Sequence, residues 1–305
     1  MYCSTSLTRT NAKRGRNEHL TDTAASNRMT NEKHSDASAV VMSTQYNAIQ
    51  RPYDELRKTT VAIIERVNVR SICNVEGATV LDLACGSGFY SHSFLQWVAS
   101  TVVGVDISRA MLDEARNSSD NMRSHFIEAD CSTPTVYPGG PFDIVFAAWL
   151  LNYASSKSDI IEMYRNVLLN LKPGGRFIAV TPPPSSDPAA LLESECRLRP
   201  LPTASGGLYT TITVDVEDGL AIDLHKDTPV GDLDFDCFHL RKSVWEAAAK
   251  EAGFGGEIEW STTNVPSDFM ENPSKYGEDS NGGASAEELA TYAEVPHYGL
   301  LRITK

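Results

Sequence analysis

Short apolar runs alternate with amphipathic stretches through the middle of the chain. The runs are rich in β-branched and aromatic residues, as buried strands are. Between two of them, residues 158–171 place apolar side chains on one helical face, and the following Lys172-Pro173-Gly174-Gly175 predicts the end of that helix. Such alternation predicts a parallel sheet covered on both faces. The predicted strands are 79–83, 101–105, 125–127, 142–147 and 176–180.

The beginning of the chain has a different pattern. Residues 1–41 are polar and show no apolar periodicity, so they are predicted to be a disordered N-terminal extension. Residues 42–305 are predicted to form one domain, and an amphipathic helix over residues 52–67 leads into it.

A cap is predicted at residues 184–235. Pro182-Pro183-Pro184 interrupts the alternation, and residues 208–228 read as two strands around Asp218-Gly219, a dipeptide typical of tight hairpins. The polar, Gly-rich residues 266–296 predict a long surface excursion. A helix over 243–252 and strands over 257–262 and 300–304 complete the predicted domain.

Charge and composition exclude several classes of partner. The net charge is −13, from 27 basic and 40 acidic residues, which disfavours nucleic acid. The longest strictly apolar run, residues 144–151, is far shorter than the roughly 20 residues of a membrane span. Six cysteines without a CxxC pair predict reduced thiols in a cytoplasmic protein and no metal site.

The strongest chemical signal is the segment VLDLACGSGF at residues 80–89. It predicts a buried strand, a glycine-paired turn and a helix over 91–98, so that backbone amides can approach a ligand closely. The third glycine of a dinucleotide fingerprint is replaced by Ser91, and the Asp82 carboxylate would repel a pyrophosphate. These features disfavour an NAD-dependent dehydrogenase and predict a cationic or zwitterionic ligand.

Two further carboxylates follow neighbouring predicted strands. Asp106 ends the second strand, eighteen residues after Gly88, where an acidic residue typically binds a ribose diol. Asp130 follows the third strand. The carboxyl ends of parallel strands share one edge of a sheet, so both side chains are expected beside the glycine turn.

These residues resemble the class I S-adenosylmethionine-dependent methyltransferases, natural-product type. The resemblance rests on VLDLACGSG, GVDIS, the AD pair, FDIVFAAWLLNYA and LKPGGRF, over residues 75–181, and on the tail 241–305. It implies a Rossmann-like, doubly wound, seven-stranded, mostly parallel sheet with an inserted antiparallel hairpin cap. It also implies S-adenosylmethionine as cofactor. Many members carry glycine where Ala84 stands. The implied cofactor-binding residues are Asp82, Ala84, Gly86, Gly88, Asp106, Ile107, Asp130, Cys131, Ala147 and Trp149.

Two tyrosines of the N-terminal segment resemble a Y-x6-Y pattern that folds over the cofactor. They are Tyr46 and Tyr53. An aromatic ring over a sulfonium is attracted to its positive charge. The other interpretation makes both tyrosines core residues of the first helix.

Catalytic and substrate-binding residues are less strongly indicated. The candidate general bases are His239 and His225, followed by His297, Tyr209 and Tyr153, and each histidine has the alternative of a structural or surface role. An alternating strand would place His239 on the same side as Cys237. Tyr153 and Tyr209 are the candidate substrate-binding residues.

The predicted reaction is methyl transfer to O, N or S of a small metabolite of secondary metabolism, by a monomer or homodimer. The alternative is a methyltransferase-like protein that binds the cofactor as a regulator or scaffold. A protein or RNA methyltransferase is disfavoured by the acidic charge and by Ala147-Ala148-Trp149-Leu150, which stands where such enzymes carry an N/D-P-P-Y tetrad.

Overall fold

The computed structural model describes residues 57, 59–118, 122–198, 209–226, 233–269, 271, 272, 275, 286–294 and 296–305. Within this part of the chain, every helix is too short or too polar to span a bilayer. The helices are α1 (Thr60–Ile72), α2 (Phe89–Gln96), α3 (Arg109–Asn117), α4 (Lys157–Asn170), α5 (Pro188–Leu198), α6 (Lys242–Ala252) and α7 (Ala286–Glu294). The strands are β1 (Thr79–Leu83), β2 (Thr101–Asp106), β3 (Ser124–Glu128), β4 (Phe142–Ala148), β5 (Leu171–Thr181), β6 (Tyr209–Val216), β7 (Gly219–Lys226), β8 (Leu233–Leu240), β9 (Ile258–Thr262) and β10 (Gly299–Thr304).

A seven-stranded sheet forms the centre of the fold, in the order β3-β2-β1-β4-β5-β10-β9. Strands β1 to β5 are parallel, whereas β10 runs antiparallel to both of its neighbours. The predicted Rossmann-like, mostly parallel sheet is therefore confirmed. The chain moves outward from β1 to β3 and then returns to place β4 on the other side of β1. This reversal creates the kind of crevice in which open α/β sheets bind ligands.

Apolar side chains on both faces hold this sheet. One face packs Phe177 of β5 against Tyr164 of α4 and Trp245 of α6, all of which are fully buried. The other face packs Phe146 of β4 against Phe94 of α2. Burial of large aromatic side chains on both faces fixes the strands in place, and with them the positions at which they end.

The cap is a three-stranded antiparallel sheet, β6-β7-β8, which has one strand more than the hairpin that the sequence predicts. The predicted hairpin is present, because β6 and β7 pair around Asp218. Strand β8 pairs with β7 and extends this hairpin. Leu233, Phe235 and Cys237 of β8 are buried, and the residues that alternate with them, Asp234 and Asp236, are exposed. Helix α5, which periodicity did not predict, follows the proline turn.

Part of the predicted surface excursion is buried. Helix α7 packs Leu289 and Tyr292 against α1, and Phe269 joins the same cluster. The sheet covers only part of the apolar face of α1, and α7 covers another part of it. The predicted extension 1–41 lies outside the described residues.

Helix α1 begins at Thr60, inside the predicted 52–67 helix, and continues to Ile72. The hydroxyl of Thr59 accepts a hydrogen bond from the backbone N–H of Ala62 at 3.4 Å and so caps the helix.

Candidate active site at the carboxyl edge of the sheet

The loop of residues 84–88 connects β1 to α2 and has an unusual backbone. Ala84, Gly86 and Gly88 have φ angles of 56°, 55° and 84°, in the left-handed region. A Cβ on Gly88 would lie 2.8 Å from the ring of His92, so glycine is required there. A Cβ on Gly86 would meet nothing within 4 Å, because that position faces open space. At Ala84 an L-residue accepts a cost of roughly 1–2 kcal/mol.

Asp106 stands at the end of β2 and braces this loop. It is only 8% exposed, and its Oδ2 accepts a hydrogen bond from the backbone N–H of Gly86 at 2.8 Å. Its Oδ1 accepts from the N–H of Ser108, also at 2.8 Å. A carboxylate has about four lone-pair positions, and the backbone N–H groups of Gly86, Ser108 and Ile107 leave capacity for a hydrogen bond from a diol. Burial raises the pKa of Asp106, and its backbone hydrogen bonds oppose that rise.

Asp82 lies deeper, one residue before the end of β1, and its side chain faces α2. It is 1% exposed, and the Ser91 hydroxyl donates a 2.6 Å hydrogen bond to its Oδ2. Burial raises the pKa of Asp82 to about 7, with a smaller contribution from the negative charge of Asp106. The site therefore holds a carboxyl group that titrates near neutrality. Ser91, which appeared only as a missing glycine in the sequence, is its hydrogen-bond partner.

The remaining predicted cofactor residues fall into two groups. Asp130 is half-buried at the same edge, and its Oδ1 accepts hydrogen bonds from the Ser132 backbone and hydroxyl. Ile107, half-buried, follows Asp106 directly. In contrast, Ala147 is fully buried within β4. The buried Cys131 thiol accepts a 3.3 Å hydrogen bond from the N–H of Ala84, so it supports the loop from beneath.

Trp149 follows β4 and borders the crevice. The pairing of Leu83 with Ala147 places the end of β4 beside the 84–88 loop. The Trp149 backbone is left-handed, with φ 62°, and its indole N–H donates to Glu65 of α1 at 3.1 Å. Sequence reasoning missed Glu65. Its signal was available, since it lies midway between the buried Val61 and Val69, four residues from each. We call the space bounded by loop 84–88, Asp106 and Trp149 the switch-point crevice.

Neither of the two leading histidine candidates joins these groups. His239 is 1% exposed, and its ring N–H at Nε2 donates to the Pro183 carbonyl at 2.9 Å. Burial lowers the pKa of His239 to about 4, so the ring is neutral and holds β8 to the proline turn. As the sequence predicts, it shares the buried side of β8 with Cys237.

His225 lies on the other face of the cap sheet. The register pairs it with Asp234, which alternates with the buried residues of β8, and its Nδ1 contacts the Asp234 carboxylate at 2.5 Å. The geometry does not support either histidine as a base at the crevice. His239 is buried and hydrogen-bonded to Pro183, and His225 lies on the outer face of the cap sheet. His297 connects to the crevice through Tyr298, whose ring packs on Trp149.

The predicted tyrosines are unevenly placed. Tyr153 ends the short 3-10 turn Leu151–Tyr153 after β4 and packs against the inner face of the cap sheet. Burial raises the pKa of its hydroxyl. Tyr46 and Tyr53 lie outside the described residues, and so does the side chain of Tyr209.

Comparison with known proteins points to the same segment. Residues 80–175 match the family model described as "Methyltransferase domain". The chain is 31% identical over 125 residues to the YqeM protein of Bacillus subtilis, covering 41% of this chain and 46% of that protein. It is 31% identical over 100 residues to the ribosomal protein L11 methyltransferase of Chromobacterium violaceum, covering 33% of this chain and 30% of that protein. The chain thus spans less than half the length of these curated relatives.

The fold is similar to that of a solved S-adenosylmethionine-dependent methyltransferase from Mesorhizobium loti. The two chains superpose with a TM-score of 0.52 at 21% identity, covering 79% of this chain and 98% of the other. The fold is therefore the one that class I methyltransferases share, and residues 80–175 are the part that matches the methyltransferase domain model. S-adenosylmethionine is the cofactor of that class, as the sequence predicts.

The residues present fit this cofactor. Carboxyl groups at the ends of adjacent strands suit an ammonium group and a ribose diol, and a pyrophosphate would be repelled by them. The open space over Gly86 allows a ligand to approach the backbone closely. The donors and acceptors therefore suit a zwitterionic nucleoside.

The pKa of Asp82 predicts a pH dependence of ligand binding. Because an ionised carboxylate binds an ammonium group better, the affinity for S-adenosylhomocysteine should rise between pH 6 and pH 8 by about tenfold, as one pKa unit implies. Calorimetric titration at several pH values measures this. Asp82→Asn should remove the dependence, and equal dissociation constants for the wild type at pH 6 and pH 8 would contradict it.

The same group affects the stability of the ligand-free protein. Its folded-state pKa is raised, so the stability it contributes is present below its unfolded value of 3.8 and is lost as the pH rises through about 7. The melting temperature of Asp82→Asn should accordingly fall less than that of the wild type between pH 5 and pH 8.

Proposed function

We propose that this chain is an S-adenosylmethionine-dependent methyltransferase that acts on O, N or S of a small metabolite. The observation that carries the proposal is the placement of Asp82 and Asp106 at the ends of adjacent strands, beside the glycine loop of the switch-point crevice. All three features lie within the segment that matches a methyltransferase domain.

Each acidic group has a role under this proposal. Asp106 accepts hydrogen bonds from the ribose hydroxyls, and Asp130 accepts one from the adenine amino group. Asp82 and the amides of loop 84–88 hold the methionine part, with Asp82 acting on the ammonium group. Ile107 and Trp149 supply apolar contacts along the crevice.

When bound, the cofactor supplies a methyl group on a positively charged sulfur. The protein's task is to align an acceptor lone pair with that methyl group and to exclude water, and alignment alone is worth roughly 7–11 kcal/mol. The cap sheet contributes a buried apolar surface, through Leu220 and Ile222, that packs over the turn following β4. A small acceptor with an apolar body suits a site next to this apolar cap.

The small-metabolite assignment rests on this apolar cap and on the acidic charge. The similarity to the ribosomal protein L11 methyltransferase of Chromobacterium violaceum covers a third of this chain, and the family match ends at residue 175, before the cap begins. It therefore supports the cofactor-binding half and leaves the acceptor open to test.

Transfer of a labelled methyl group tests the proposal. Purified protein and methyl-labelled cofactor are incubated with a panel of thiols, phenols and heterocyclic amines, and separately with ribosomal protein and RNA. Label in a small product supports the proposal. Label in the protein or RNA fraction would overturn the acceptor class, and cofactor binding without transfer to any acceptor would favour the scaffold alternative.

A further inference from the structure

A buried carboxylate links three elements around the switch-point crevice. Glu65 of α1 is 2% exposed. Its Oε1 accepts hydrogen bonds from the hydroxyl of Tyr90, at 2.6 Å, and from the guanidinium of Arg57, at 3.1 Å. Its Oε2 accepts from the indole N–H of Trp149 at 3.1 Å. The carboxylate therefore joins α1, the helix after the glycine loop and the residue after β4.

Burial of a charge at this position is costly unless the charge is paired and hydrogen-bonded. Arg57 supplies the opposite charge, and its guanidinium also lies 4.9 Å from the ring centroid of Phe89. The pair and the two neutral donors satisfy the carboxylate. The carboxylate thereby fixes the positions of the groups that donate to it, the Tyr90 hydroxyl and the Trp149 indole.

The group that is oriented is Trp149. A left-handed φ of 62° is unfavourable for a residue with a bulky side chain, and such backbone persists only where the surroundings hold it. Here the indole is held at its N–H by Glu65 and along one side by Tyr298, whose ring lies 4.6 Å away at an interplanar angle of 78°. The side chain remains only half-buried, and the pairing of Leu83 with Ala147 places its backbone beside loop 84–88.

A fixed, half-exposed indole at this place has a specific electrostatic property. The face of an aromatic ring attracts cations, and tryptophan does so most strongly. Donation of the indole N–H to a carboxylate increases the electron density of the ring. The cofactor carries its positive charge on sulfur, whereas the thioether product is uncharged there.

We propose that Glu65 is a positioning residue that holds the Trp149 indole against the switch-point crevice, where it favours the charged sulfur of the cofactor over the neutral sulfur of the product. The proposal rests on the proposed function, since it assumes that this cofactor binds in the crevice. In this way Glu65 and Trp149 would limit how long the product, S-adenosylhomocysteine, stays bound after transfer.

The test compares the dissociation constants of S-adenosylmethionine and S-adenosylhomocysteine in the absence of any acceptor. Calorimetry at pH 8 gives their ratio for the wild type and for each variant. Trp149→Leu should reduce the preference for the charged ligand by roughly 3- to 30-fold, the range of a desolvated cation–π contact. Glu65→Gln should change the ratio in the same direction by less.

Tyr90→Phe is the matched control. It removes a hydrogen bond to the same carboxylate but leaves the bond between Glu65 and Trp149, so it should keep the wild-type ratio. If Glu65→Gln does not fold, Trp149→Phe carries the test, because it retains a ring without the N–H and should give a ratio between those of wild type and Trp149→Leu.

The outcomes separate this inference from the proposed function. Binding of both ligands with an unchanged ratio in Trp149→Leu, or in a folded Glu65→Gln protein, would overturn the inference and leave the proposed function standing. Failure of the wild type to bind either ligand would overturn the proposed function itself. A reduced ratio in Trp149→Leu and Glu65→Gln, but not in Tyr90→Phe, is the expected result.

Discussion

Asp106→Ala should weaken binding of S-adenosylhomocysteine by at least about 100-fold, because two hydrogen bonds to a charged group contribute roughly 3 kcal/mol or more together. The carboxylate lies at the end of β2, beside the glycine loop, and its backbone hydrogen bonds leave capacity for a ligand hydroxyl. Its loss also releases the N–H of Gly86, which it holds at 2.8 Å. Calorimetric titration at pH 8 measures the change.

Asp113→Ala is the matched control for this variant. Asp113 lies nearby in sequence on α3, is 58% exposed and pairs with Arg116 at 2.8 Å on the surface. Its replacement removes the same charge from the protein and should leave the affinity within about twofold, as exposed pairs contribute little. An Asp106→Ala protein that is folded and binds within threefold of the wild type would contradict the assigned role.

Gly86→Ala should also abolish most cofactor affinity, with a loss of at least about tenfold, since a side chain there enters the space that a ligand needs. The φ of 55° adds a backbone cost of roughly 1–2 kcal/mol to the free energy of folding. Both effects are measured on one preparation, the first by titration and the second by chemical denaturation.

Gly77→Ala separates the two effects. Gly77 has a φ of 67°, and a Cβ there would likewise meet nothing within 4 Å, but it precedes β1 at the opposite edge of the sheet. It should lose a similar free energy of unfolding and keep its affinity for S-adenosylhomocysteine. Equal affinity losses in the two variants would show that Gly86 acts only through backbone strain.

The sequence predicts the sheet and the acidic edge well for a physical reason. Buried parallel strands must be apolar along their length, so they are visible as short β-rich runs, and their ends are marked by the first polar residues. Asp82, Asp106 and Asp130 are prominent because each interrupts or ends such a run. The glycine loop is equally visible, since Gly86 and Gly88 adopt backbone conformations that other residues avoid.

Contacts between distant segments are not visible in the same way. Glu65 and Trp149 are 84 residues apart, and no local pattern shows that they share a hydrogen bond. The third cap strand depends on pairing β8 with β7, and the burial of α7 depends on the face of α1 that it covers. Periodicity describes each element alone, whereas these features arise when two elements meet.

The histidines illustrate the same limit. His239 and His225 alternate with other residues on neighbouring strands, and sequence position alone makes both available to an acceptor. In the structure His239 is hydrogen-bonded to the Pro183 carbonyl and His225 to the Asp234 carboxylate. Whether a histidine is a base or a structural donor depends on its partner, and the partner of His239 lies 56 residues away.

The most direct test of the cofactor site is a crystal structure of the full chain, from crystals soaked with S-adenosylhomocysteine. We expect electron density for the nucleoside over loop 84–88. Both ribose hydroxyl oxygens should lie within hydrogen-bonding distance of Asp106, and the amino group of the amino-acid part should lie on the side of Asp82. Density for the ligand at any other part of the sheet, with Asp106 contacting only Gly86 and Ser108, would contradict it.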